Sequence, residues 1–329
     1  DLHSFPTRRS SDLPLQELTT ARRQEILRQA ALVRLESKGL QLAARARESG
    51  WEQALWTGLF TALGYKHNTW PMRRLAELIP ELRSRCGNSA FEWQARLLGL
   101  SGLLPTQLPA RDDSSRAHAR KLWEVWWRER DAWEKRVLPR AAWRLAGIRP
   151  ANHPHRRLAL AANWQARPDF VENLERWFLD LEQQSDPPGD LLARLRAGDD
   201  EYWREHWTLD SPALPRLQPL IGAARVTDLA MNVILPWFWM RAVAGHNARL
   251  RERAERQYFA WPKGEDNAVL KLARQRLLGP GPARELQTAG LQQGLIQIVR
   301  DFCDQSNALC EQCRFPDLVR DFDDQAPAG

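Results

Sequence analysis

The chain has 329 residues, 43% of them hydrophobic and 27% charged, which is enough apolar material for a packed core and excludes a disordered tail. A net charge of +7 and an isoelectric point near 9.6 suit a polyanionic partner. Only six of the 48 basic residues are lysine, however, and GC-rich coding would also produce such an arginine surplus.

Residues Asp1 to Leu13 (DLHSFPTRRSSDL) have no apolar period, and they back-translate into one reading frame of a common sequencing adapter. They are expected to be an artefact, so that the natural start of the protein is missing. Asp1, Arg8, Arg9 and Asp12 cancel in charge, leaving +7 for the rest.

From Pro14 onward the pattern is helical. Ile26, Ala30, Val33, Leu40 and Ala44 recur at helical steps, predicting an amphipathic helix over 19–49 that Gly50 stops. A second helix is predicted over 51–63 (WEQALWTGLFTAL), ended by Gly64 and Asn68. Pro71 opens a third, which carries Leu75, Leu78 and Ile79 and ends before Pro80. Further helices are expected over 89–100, 115–137, 154–165, 169–184, 226–244, 246–259, 267–277 and 283–303. The segments SDPPG at Ser185, DSPALPRLQP at Asp210 and GPGP at Gly279 read as loops. No run of alternating strands and no fixed repeat is present, so the expected fold is all-α, an irregular multi-helix bundle rather than a solenoid, with 14–329 as a single helical region. The most apolar stretch, LAMNVILPWFWMRAVAG, is interrupted by Asn232, Pro236 and Arg241 and falls short of the ~20 apolar residues a bilayer span needs. It reads as a buried helix pair or kinked helix, and no membrane partner is expected.

Sixteen tryptophans stand out. LWEVWWRERDAWEKR puts Trp123, Trp126, Trp127 and Trp133 on largely one helical face, with arginines interleaved. Such a face would stack on unpaired bases, although packing into the core is the favoured reading, since each indole buries a large area and needs one N–H partner.

Three of the four cysteines crowd into CDQSNALCEQC. A thiol pattern of this kind in so long a chain argues against a secreted disulfide framework and for a reducing cytosol. Cys310 and Cys313, two residues apart, bring both sulfurs to one side of a turn, and Cys303 would supply a third ligand to zinc or an iron–sulfur cluster. The spacing is similar to the start of the helix-hairpin-helix DNA glycosylase cluster, but the position of that pattern's fourth cysteine holds Val319.

A second constellation is WRLAGIRPANHPHRRLALA. Arg149, Asn152, Arg156 and Arg157 flank a turn entering a helix, where guanidinium forks and backbone N–H groups would meet a phosphate. Equally, Asn152 would cap the helix and Pro154 would occupy its first turn. No Walker loop, dinucleotide fingerprint, HExxH or nucleophile elbow occurs, and no catalytic residue is assigned.

Five islands, WEQALWTGLFTALGYKHN, ARLLGLSGLL, IRPANHPHRRLA, LIGAARVTDLAMNVILPW and GLQQGLIQIVRDFCDQSNALCEQC, occur in the order seen in the bacterial family known as domain of unknown function 2851, which this chain resembles from Pro14 to about Asp323. The resemblance implies a further N-terminal region with nuclease-like segments, in which an aspartate and a glutamate would hold Mg²⁺ for phosphodiester hydrolysis. It also implies a fourth cysteine ligand shortly before Pro14, an arrangement similar to the iron–sulfur staple of some helicase-associated nucleases. On that view this chain binds nucleic acid as the helical partner of its own missing N-terminal domain and is inactive alone, while the full-length protein is a metal-dependent nuclease. The alternative is a helical scaffold for protein partners with no enzymatic role.

Overall fold

A computed structural model describes Leu15, residues 18–107, 113–196, Gly198, 200–279, 285–303 and 313–324. Among these residues the fold is all-α, and the one extended pairing is an isolated bridge between Pro262 and Thr288. Two compact units are present, Leu42–Trp237 and a second made of Asp1–Gln41 with Phe238–Gly329. Their boundaries fall inside helices α1 (Thr20–Ser49) and α13 (Leu235–Ala244).

In the larger unit, Gly50 adopts φ 86, a left-handed conformation open to glycine, and α2 (Trp51–Leu63) begins immediately after it. Helix α2 is apolar nearly all round and buries Leu55, Trp56, Leu59 and Phe60. It packs against α3 (Thr69–Ala76) and against a π-helical segment, Ala230–Ile234, that joins α12 (Ala223–Leu229) to α13. The expected third helix is in fact two: α3 stops at Ala76, and Pro80 sits in the first turn of α4 (Ile79–Cys86), where its missing N–H costs nothing.

Helices α5 (Ala90–Leu100) and α8 (Pro154–Gln165) form the most extensive pair of this unit. In α8 every residue but Asn163 is buried. Helix α6 (Asp113–Trp127) crosses α5 at Gly99, where any Cβ would fall 2.1 Å from the Trp126 ring, so the glycine permits the close approach. The predicted 115–137 helix therefore ends at Trp127 and gives way to the short helix α7 (Arg130–Trp133). Arg96 of α5, 5% exposed, fixes this break by clasping both carboxylate oxygens of Glu129.

Helix α9 (Phe170–Leu179) precedes α10 (Pro187–Leu195), which occupies the SDPPG segment read from sequence as a loop. Asp186 caps α10 through the Gly189 N–H at 3.1 Å and the two prolines fill its first turn, so the turn-like composition is a helix start. Helix α11 (Glu201–Glu205) and the irregular segment that follows it complete this unit.

The smaller unit holds the N-terminal part of α1 with α14 (Ala248–Ala260), α15 (Ala268–Leu277), α16 (Ala289–Phe302) and α17 (Phe315–Asp324), the last of which the sequence pattern does not predict. Helix α16 starts later than predicted, with Thr288 as its cap. The core of this unit gathers Leu15, Leu27, Leu270, Leu295, Val299, Phe315 and Val319. Among the described residues no helix is long and apolar enough to cross a membrane.

Most tryptophans do go into the core, and their indole N–H groups explain how. Trp93 donates to Gly87 O, Trp143 to Ser101 O, Trp164 to Leu195 O, Trp177 to Pro187 O and Trp237 to Trp51 O. The carbonyls of Gly87, Ser101 and Leu195 lie at or just past helix C-termini, where backbone acceptors lack intrahelical donors, and those of Pro187 and Trp51 belong to the first residues of α10 and α2, so the rings fill volume while each N–H finds a backbone acceptor.

Candidate nucleic-acid interface

The turn before α8 does not present its arginines as predicted. Arg156 is fully buried: Nη1 donates to the carbonyls of Trp203 and His206, Nη2 donates to those of Gln218 and Pro219, and Trp207 lies 4.6 Å from the guanidinium. Arg157, 4% exposed, donates to Leu220 O at 2.7 Å and to Asn152 Oδ1 at 3.0 Å. Both cations are consumed by the chain's own acceptors and do not meet a phosphate. Asn152 is not the helix cap either; it lies in a 3₁₀ turn, and His153 occupies the cap position. Arg149 alone of the four is exposed, and its side chain has no hydrogen-bond or ion-pair partner among the described residues.

Helix α6 carries a different surface. Ser115, Ala119, Leu122 and Trp126 form its buried stripe at spacings of four, three and four. Trp123 and Trp127 fall on the flank of that stripe, four residues apart, and stack with ring centroids 5.0 Å apart at 26°. Trp123 is half-buried and its N–H donates to Pro105 O at 2.7 Å, which fixes the ring. Trp127 is 52% exposed, and the Arg130 guanidinium sits 3.9 Å from its ring centroid. Beside the stack lies a cleft of about 530 Å³ lined by Thr106, Arg120, Trp123, Glu124, Trp127 and Arg128. The predicted tryptophan face thus divides: Trp126 and Trp133 are core, and Trp123 and Trp127 are surface. The stripe spacing carries that information, because adjacent helical residues such as Trp126 and Trp127 point about 100° apart.

Cys303 caps the end of α16, and both it and Cys313 are half-buried against the core of the smaller unit. Cys310 lies outside the described residues, and with it the full ligand set of Cys303, Cys310 and Cys313. Val319, at the position where the glycosylase-like pattern has a cysteine, is 2% exposed in that same core. Among the described residues no group of three or more His, Cys, Asp or Glu side chains converges as a metal site.

These features define an all-α protein with a basic, aromatic surface on one helix. The chain belongs to the DUF2851 family of proteins of unknown function, whose family model matches residues 12–267. No curated protein matches it. No solved structure matches it either.

Proposed function

We propose that this chain is a nucleic-acid-binding helical region that holds single-stranded DNA or RNA on the Trp123–Trp127 surface of α6. The exposed, stacked indole pair carries the reading: two parallel rings, one anchored and one open, sit beside a cleft with Arg120 and Arg128 on its walls and Glu124 as its one acidic lining residue. Bases stack on aromatic rings with about 1–3 kcal/mol each, while an exposed cation–π pairing contributes roughly 0.5–1 kcal/mol. A base therefore displaces Arg130 from the face of Trp127 and frees that guanidinium for a neighbouring phosphate. The nuclease activity implied by the resemblance would belong to a further domain, to which this region presents the strand.

Fluorescence anisotropy with a labelled oligo-dT tests this. Trp127→Ala, at an exposed position, is expected to leave the melting temperature unchanged and to weaken binding by about five- to 150-fold. Replacing Arg120 and Arg128 with Gln should lower the slope of log K against log salt by about 0.7 for each phosphate that is no longer neutralised. Binding that is indifferent to both changes would move the site elsewhere on the chain. No binding at all, together with protein capture through the same surface, would favour the scaffold alternative.

Metal binding by Cys303, Cys310 and Cys313 is a separate proposal, resting on their spacing. Anaerobically purified protein is expected to contain zinc or iron in stoichiometric amount and to lose it in Cys310→Ala. Metal-free wild-type protein would overturn that expectation.

A further inference from the structure

Beside its two surface tryptophans, helix α6 carries a row of charge. Arg120, Glu124 and Arg128 follow one another at spacings of four, Arg128 just past the last residue of the helix, and all three are exposed and line the cleft next to the Trp123–Trp127 stack. Alternating charges at this spacing ordinarily close into ion pairs. Arg116, one turn earlier, does so with Asp113 at 2.9 Å. In the row along the cleft no pair closes: among the described residues neither Arg120, Glu124 nor Arg128 has a hydrogen-bond or ion-pair partner. The cleft wall therefore offers one free carboxylate between two free guanidiniums, with an aromatic face alongside.

A surface that only tracked a backbone and stacked its bases would gain nothing from that carboxylate. Stacking accepts any base, and a negative charge repels phosphates. A carboxylate is an acceptor with two oxygens side by side, suited to two parallel N–H donors. Of the unpaired bases, guanine alone has two adjacent donors on its Watson–Crick edge, N1–H and the N2 amino group. Adenine and cytosine place one amino group beside an acceptor nitrogen, and thymine or uracil places one N–H between two carbonyls, so each turns a lone pair towards the second carboxylate oxygen.

We infer that the α6 cleft is selective for guanine: the base stacks on Trp127, Glu124 accepts from N1–H and the N2 amino group, and Arg120 and Arg128 meet the phosphates on either side. The inference rests on the α6 surface being the strand site. Glu124 and Trp127, three residues apart, are neighbours on the helix surface, so a base lying over the ring brings an edge to the carboxylate. At about 530 Å³ the cleft is within the range of sites that take one small ligand, here a single nucleotide.

Fluorescence anisotropy with a short labelled oligo-dT, and with the same strand carrying one central guanine or hypoxanthine, tests this. The guanine strand is expected to bind about five- to 150-fold more tightly than the all-dT strand, and the hypoxanthine strand, which keeps N1–H but lacks the amino group, to fall between them. Glu124→Gln should abolish that preference and tighten binding of the all-dT strand, because a charge that repels phosphate is gone. Glu124 is exposed, so the variant should keep the wild-type melting temperature. Competition by GMP against the labelled guanine strand separates two sources of the base: displacement at concentrations near that of the strand assigns a free nucleotide, and displacement only at large excess assigns a strand. If wild type binds all strands equally while Trp127→Ala weakens every one, or if the guanine preference survives in Glu124→Gln, the inference is overturned and the α6 strand site stands. If no strand binds, or Trp127→Ala changes nothing, the α6 site itself falls and this inference with it.

Discussion

Acidification from pH 7 to pH 5 is expected to unfold the Leu42–Trp237 unit. Three of its imidazoles are held neutral by burial. His155 has its pKa pushed down to about 3, by desolvation first and then by His153 4.8 Å away; its Nε2 faces Leu103 O at 3.2 Å and its Nδ1 has no partner. His153 is lowered to about 4 by desolvation and by Arg140. His118 is lowered to about 4 by desolvation, then by His206 and Lys121; it lies face to face with Tyr202 at 3.7 Å, and Tyr202 in turn stacks on His206 at 4.2 Å. Because each folded pKa lies below the unfolded value of about 6.5, the unfolded chain binds more protons between the two. Stability is thus complete above pH 6.5 and falls as pH drops through that window, by about 1.4 kcal/mol per pH unit for each imidazole. Three acting independently would remove on the order of 6 kcal/mol by pH 5, comparable with the whole stability of many domains. Asp200 works in the opposite sense, since burial raises its pKa and protonation relieves it, but it is one group against three. Urea denaturation followed by tryptophan fluorescence from pH 8 to pH 5 gives the slope. In His118→Phe, which keeps the ring stack and removes one proton site, that slope should fall by about a third. A stability that does not change between pH 7 and pH 5 would show that these rings are hydrated.

How much of this is legible from sequence depends on how far apart the interacting residues are. The bounds of helices α2 and α8 can be read because their signals are local: Gly50 and Gly64 for the first, Pro154 for the second. The break after Trp127 cannot, because nothing local stops α6 there; the cause is Arg96, thirty-three residues earlier, holding Glu129. Helix α10 is hidden by a composition that a turn and a helix start share. The candidate site divides in the same way. The Trp123–Trp127 pair follows from spacing within one helix, whereas the bond that fixes Trp123 to the Pro105 carbonyl joins positions 18 residues apart. Arg156 and Arg157 read as solvent-facing because charge normally is. The counter-signal lies in DSPALPRLQP, a segment whose three prolines preclude a regular helix or strand and whose carbonyls therefore need donors from elsewhere.

Arg156 is accordingly the residue whose loss should destabilise the fold most. One guanidinium serves four carbonyls, two on the chain at and after α11 (Trp203 and His206) and two in the segment leading to α12 (Gln218 and Pro219). Two opposing terms decide the outcome of Arg156→Met. Removing a buried cation recovers its desolvation cost, which burial expresses by lowering the Arg156 pKa to about 10, the neighbouring Arg157 adding to the effect. Against that, methionine fills most of the volume but leaves the four acceptors without donors, each costing roughly 1–3 kcal/mol where water does not reach it. The second term exceeds the first because the acceptors sit in the last turn of α11 or in irregular chain, with no alternative ladder to join, and because no cation then packs on the Trp207 ring. A net loss of about 3–5 kcal/mol is expected, the range for stripping one side of a buried charged network. Arg156→Lys should recover part of it, since an ammonium keeps the charge but reaches fewer of the four carbonyls than a planar fork. Measured by denaturant unfolding at pH 8, where the imidazoles are neutral in both states, a loss under about 1 kcal/mol for the methionine variant would mean that water replaces the guanidinium. In that case the segment from Trp207 to Ile221 is held by its apolar side chains, Leu209, Leu220 and Ile221 among them, rather than by the arginine.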